Sequence, residues 1–86
     1  MTRPGVDGAG TREPVVVDAR GLRCPAPVIR LARAAREAPV GTTFTVLATD
    51  PAAVHDVPAW ARMRGHTMLA SEQHGDEYAL TVRTDR

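Results

Sequence analysis

Of 86 residues, one is cysteine, Cys24, and it sits in Gly21-Leu22-Arg23-Cys24-Pro25-Ala26-Pro27. A lone thiol has no partner for an intramolecular disulfide. Pro25 favours the first turn of a helix, so the sulfur is placed near a helix N-terminus, an end that favours the thiolate. Arg20 and Arg23 just upstream add positive charge. These features predict a Cys24 pKa somewhat below the usual value of about 8.5, hence a nucleophile near neutral pH. Pro25 and Pro27 lack backbone N–H groups, which leaves Ala26 and Val28 as the donors of the first turn, and their fixed φ angles stiffen the base beneath the sulfur. The plainer reading is a small buried hydrophobe, a common role for free cysteine, with Pro25 merely starting a helix.

Other candidate groups carry less. His55, His66 and His74 are spaced eleven and eight apart, which fits no short ligand motif, so neither a metal nor another cofactor is implied. Asp50 and Asp56 read as helix caps before catalytic acids, and as charged positions that a partner could contact. Arg30, Arg33 and Arg36 follow Cys24 closely. They are either a solvated face or, with Arg20 and Arg23, a docking surface for acidic partners whose association is steered by charge. Phe44, Trp60 and Tyr78 are scattered over core-like positions and offer no stacking platform, which argues against direct nucleic-acid binding.

The elements that must position Cys24 follow from periodicity. Val15-Val16-Val17 reads as a buried strand. From Pro25, residues Val28, Leu31, Ala32 and Ala35 make one apolar helical stripe, ended by Pro39-Val40-Gly41. Phe44, Val46 and Ala48 alternate with Thr43, Thr45, Leu47 and Thr49 in a second strand, broken by Asp50-Pro51. Asp56 is expected to cap a second helix with Pro58 in its first turn and Gly65 at its end; Trp60 and Met63 fall on its core side. Thr67 to Glu72, a turn near His74-Gly75-Asp76, and Tyr78, Leu80 and Val82 form a hairpin. The predicted order is β-α-β-α-β-β, an α/β (α+β) two-layer sandwich with both helices on one face of a mixed four-stranded sheet.

Composition agrees with one small packed domain, at 43% hydrophobic and 24% charged residues. A net charge of +1 gives no global drive toward nucleic acid or acidic membranes. All eleven basic residues are arginine. Residues 1–13, with Gly5, Gly8, Gly10 and Pro4, are expected to be a flexible tail, and the domain proper to span 14–86. No apolar run approaches a membrane span and the N-terminus lacks a signal-peptide pattern, so a cytoplasmic protein without membrane contact is expected.

Cys-Pro-x-Pro after Asp18-Ala19-Arg20-Gly21-Leu22-Arg23 resembles the signature of the TusA (SirA-like) sulfur-carrier family. Asp50-Pro51-Ala52-Ala53-Val54-His55-Asp56-Val57-Pro58 and then Gly65-His66 match the same family in order and distance, so the likeness covers roughly residues 14 to 83. It implies the same fold and a sulfurtransferase-type role in which Cys24 carries a persulfide. The implied partners are a cysteine desulfurase or rhodanese-type donor and a downstream acceptor in tRNA thiolation, molybdenum-cofactor synthesis or sulfur oxidation; a monomer is expected. Ala26, Thr49 and His55 depart from residues frequent in the family, which alters the charged fringe and leaves Cys24, Pro25 and Pro27 intact. The rival reading is a thiol-based redox sensor or regulatory interaction module.

Overall fold

The computed structural model describes residues 13–86, so the expected tail lies almost wholly outside the described residues. Six elements follow one another: β1 (Val15–Ala19), α1 (Ala26–Arg36), β2 (Thr43–Ala48), α2 (Ala53–Arg64), β3 (Thr67–His74) and β4 (Glu77–Arg83). The sheet order is β1-β2-β4-β3, with β1 parallel to β2 and β4 antiparallel to both its neighbours. β3 therefore runs parallel to β1 and β2, and each helix is a crossover between parallel strands. Both helices start at the same end of the sheet and finish at the other, which is what later separates two differently charged ends.

The core lies between one sheet face and the two helices. Val17, Val46 and Leu80 stand in one cross-strand row, and Phe44 faces Val82 beside it. Against this face α1 packs Leu31 and Pro27, while α2 packs Ala53, Val57 and Ala61, all buried. Alanine at two of the three α2 positions lets that helix approach closely. The opposite sheet face carries Val16, Thr45 and Thr81, with the two threonine hydroxyls 3.0 Å apart. No other element of the described residues covers it.

Three expectations need correction. The valine run is not buried throughout: Val16 is 60% exposed on the open sheet face, Val15 is 45% exposed at the start of this edge strand although it shares the core side with Val17, and of the three only Val17 is buried. The second helix starts earlier than expected, after Ala52, which puts Asp56 inside its first turn and Pro58 within the helix. Asp56 makes no capping hydrogen bond, since the turn it was expected to open is already helical. Met63 is 81% exposed, whereas Trp60, one turn earlier, is half-buried against the core. The helix ends at Gly65 as expected. Its φ of 76° is left-handed, and the amides of Gly65 and His66 return to the carbonyls of Arg62 and Ala61.

Candidate functional site

Cys24 lies in the connection from β1 to α1, at the end of the sheet where both helices begin. The connection is fastened twice to the β2–α2 connection beside it. Gly21 N–H donates to the Thr49 hydroxyl at 2.9 Å, and Cys24 N–H donates to Asp50 Oδ2 at 2.9 Å. Asp50 Oδ1 accepts from Ala52 N–H at 3.0 Å, and its backbone carbonyl accepts from Ala53 N–H. One carboxylate thus holds the cysteine loop and opens α2 together. These two amides keep the Asp50 carboxyl below the usual carboxylate range, helped by the charge of Arg23.

The start of α1 is similarly closed. The Cys24–Pro25 peptide bond is cis. Ala26 N–H, one of the two donors expected in the first turn, donates to Arg23 O at 2.9 Å, and Ile29 N–H donates to Pro25 O. Pro27 is buried and Leu22 packs on the core, so the loop is set down on apolar contacts on both sides of the cysteine. Cys24 itself is half-buried and packs against the same cluster.

This environment reverses the expected electrostatics of the thiol. Burial pushes the Cys24 pKa up to about 11, with the Asp56 carboxylate accepting from the thiol and repelling a thiolate, and Asp50 adding its charge. The helix end is worth about 0.3 to 1 kcal/mol to an anion, under one pKa unit, while desolvation and like charge move pKa values by several. The larger effects win, and the resting group is a thiol.

Arg20 does not assist the sulfur. Its guanidinium is fixed on Asp18 by two bonds of 2.9 Å and reaches Glu77 at 3.6 Å, an ion pair that depresses Asp18 to about 2. Arg23 is exposed and lines a shallow depression of about 450 Å³ with Gly21, Leu22, Thr49 and Asp50. Arg30 and Arg33 are exposed along a groove beside Val15, Val16 and Asp18 rather than facing Cys24. The structure therefore brings together Cys24, Pro25, Pro27, Arg23, Asp50 and Asp56, and separates Arg20, Arg30 and Arg33 from them. The part of Asp50 and Asp56 in setting the thiol was missed by sequence reasoning, which took them for caps. Their sole sequence signal is the matching Asp-Pro block, and their distance along the chain hides the contact.

Among the described residues no group of three or more His, Cys, Asp or Glu side chains is arranged to hold a metal ion. Among the same residues no helix is long and apolar enough to cross a membrane.

A family model described as sulfurtransferase TusA matches residues 15–84, from the first residue of β1 to just past β4. The chain belongs to the TusA family. A SirA-like protein from Desulfitobacterium hafniense has a similar crystal structure, with a TM-score of 0.73 and 26% sequence identity, the match covering 84% of this chain and 99% of that one. The mixed four-stranded sheet with two helices is thus a fold this chain shares with that SirA-like protein. A general sulfur-carrier role follows from membership in the TusA family.

Proposed function

We propose that Cys24 accepts a sulfane sulfur from the persulfide of a donor protein and passes it to a second protein. The observation that carries this reading is the sole cysteine of a TusA-family chain, held at the start of α1 by Asp50. In the loading step the Cys24 sulfur attacks the outer sulfur of the donor persulfide. A new S–S bond forms on Cys24 as the donor's S–S bond breaks, and the proton leaving Cys24 ends on the departing donor thiolate. Unloading is the same exchange in the other direction, onto an acceptor thiol, with no net oxidation.

A thiol raised to about 11 is mostly protonated at neutral pH, so the isolated carrier reacts slowly with small oxidants. Attack then awaits a docked donor, whose surface changes the charge around Asp50 and Asp56. Donors of the cysteine desulfurase or rhodanese type fit this chemistry, and the acceptor belongs to tRNA thiolation, molybdenum-cofactor synthesis or sulfur oxidation. Exposed Arg23 beside the thiol is the first contact for an acidic partner surface. We place the carrier in the cytoplasm, where a free thiol stays reduced.

The test is intact mass after incubation with a cysteine desulfurase and cysteine. One sulfur atom should be added, removable by a reducing agent, and Cys24→Ser should add none while keeping the wild-type circular dichroism. No added sulfur from several donors, with ready modification of Cys24 by peroxide, would favour the redox-sensor reading and end this one.

A further inference from the structure

At the end of the helical layer remote from Cys24, the last turns of α1 and α2 enclose a groove of about 300 Å³. Ala32 and Ala35 form its α1 wall, and their small side chains leave the space open. Trp60 forms the α2 wall, with the His66 ring tilted against the indole at a centroid distance of 5.0 Å. Arg36, Arg64 and Arg86 line the same groove, one from each helix and one from beyond β4.

Arginine in the last turn of a helix is ordinarily explained by the partial negative charge of that end. That explanation covers Arg36 and Arg64 but not Arg86, which belongs to no helix. Arg86 is laid across Gly65, so closely that a Cβ there would stand 2.6 Å from its Nε. No ion pair among the described residues involves any of the three arginines. Asp85, whose amide donates to His66 Nδ1 at 3.1 Å, has its carboxylate on Arg83 and Thr67 instead. That amide occupies His66 Nδ1, so Nε2 is the ring nitrogen left to donate at the groove.

Three full positive charges outweigh the roughly one unit of negative charge contributed by two helix ends, and even a carboxylate on Arg86 itself would leave the groove net positive. A guanidinium presents a planar fork of donors. One carboxylate satisfies one such fork, whereas the several oxygens of a tetrahedral phosphate serve two or three converging forks. The groove is also concave and at the small end of the range for ligand pockets, a shape suited to a small molecule rather than a flat macromolecular face. We propose that this groove is a binding site for a phosphate group, free or carried on a small molecule, held by Arg36, Arg64 and Arg86. The site is independent of sulfur transfer, being separated from the thiol by the length of α1, about 16 Å.

The experiment is an NMR titration of the 15N-labelled full chain with inorganic phosphate, adenosine monophosphate and adenosine, at ionic strength held constant with chloride. Phosphate and the monophosphate should saturate the shifts of the Trp60 indole N–H and the Gly65 and His66 amides with a dissociation constant of about 1 mM or tighter. Adenosine should shift nothing. Tighter binding of the monophosphate would identify a carried phosphate as the ligand, and equal binding a free one. Arg64→Gln with Arg86→Gln should weaken binding about tenfold or more, while Arg62→Gln, in the same last turn but outside the groove, and Cys24→Ser should leave it intact. Should the double variant fold poorly, Arg86→Gln alone, outside every helix and strand, answers the same question. The proposal is overturned by shifts that never saturate, by adenosine acting as well as its monophosphate, or by a folded double variant that binds like wild type.

Discussion

Where α1 and α2 begin, Asp50 and Asp56 flank a half-buried thiol; where they finish, Arg36, Arg64 and Arg86 flank a groove. Each end thus carries charge opposite to that of its helix dipoles, the arrangement that helices favour on general grounds. The two ends differ in what their charges touch. Asp50 is engaged by two backbone amides, so its first task is structural, and the rise in the thiol pKa accompanies it. The arginines form no ion pair among the described residues. The lesson is that complementing a dipole can suppress an anion at one end and prepare for one at the other.

The largest effect should come from breaking the thiol end. With a pKa of about 11, alkylation of Cys24 by iodoacetamide should rise about tenfold per pH unit beyond pH 9 and level off only near 11. Asp56→Ala removes an acceptor and a like charge, so the plateau should move to lower pH and the rate at pH 7 rise by about tenfold or more. A wild-type plateau below pH 9 would contradict the geometry described. The same shift has a stability counterpart. A thiol whose folded pKa lies above its unfolded value supports the fold fully below the unfolded pKa, near 9, and ceases to do so as pH rises through about 11. Thermal melts at pH 8 and pH 10.5 should therefore converge more closely in Cys24→Ser than in wild type.

A smaller effect separates holding from tuning. Asp50→Ala frees Cys24 N–H and Ala52 N–H at once, and Tm should fall by about 4 to 8 °C, the range for losing a helix-opening carboxylate in a small domain. An unchanged Tm would mean that the carboxylate is not the fastener. The smallest effect on stability belongs to the other end, where, with no anion bound, Arg36→Gln removes a dipole partner on an exposed turn. Tm should move by less than about 3 °C, and the alkylation profile of Cys24 should not move at all.

Much of this architecture is written locally and was readable as such. The alternation around Phe44, Val46 and Ala48, the proline-opened helix after Cys24 and the glycine stop at Gly65 each depend on neighbours within a few residues. What could not be read depends on neighbours far along the chain. The β-branched run at Val15 fits an edge strand as well as a central one, and sheet order alone decides which. Trp60 and Met63 share a helical face by spacing, yet Trp60 packs against the core and Met63 stands in solvent, a division that spacing alone does not decide. The sign of the Cys24 shift needed burial and the approach of Asp56. The groove needed three arginines from three separate segments, and no spacing rule joins Arg36 to Arg86.

The two bridges from Thr49 and Asp50 to the cysteine loop have a consequence for engineering. A peptide carrying residues 14 to 36 would contain the whole Cys-Pro-x-Pro signature and neither of its anchors, because both are supplied by the strand-to-helix connection that follows β2. Grafted onto a foreign helix, the signature would give an ordinary thiol, solvated and titrating near 8.5. The portable unit is the pair of adjacent connections, and transplanting the chemistry means transplanting the parallel pairing of β1 with β2 that sets them side by side.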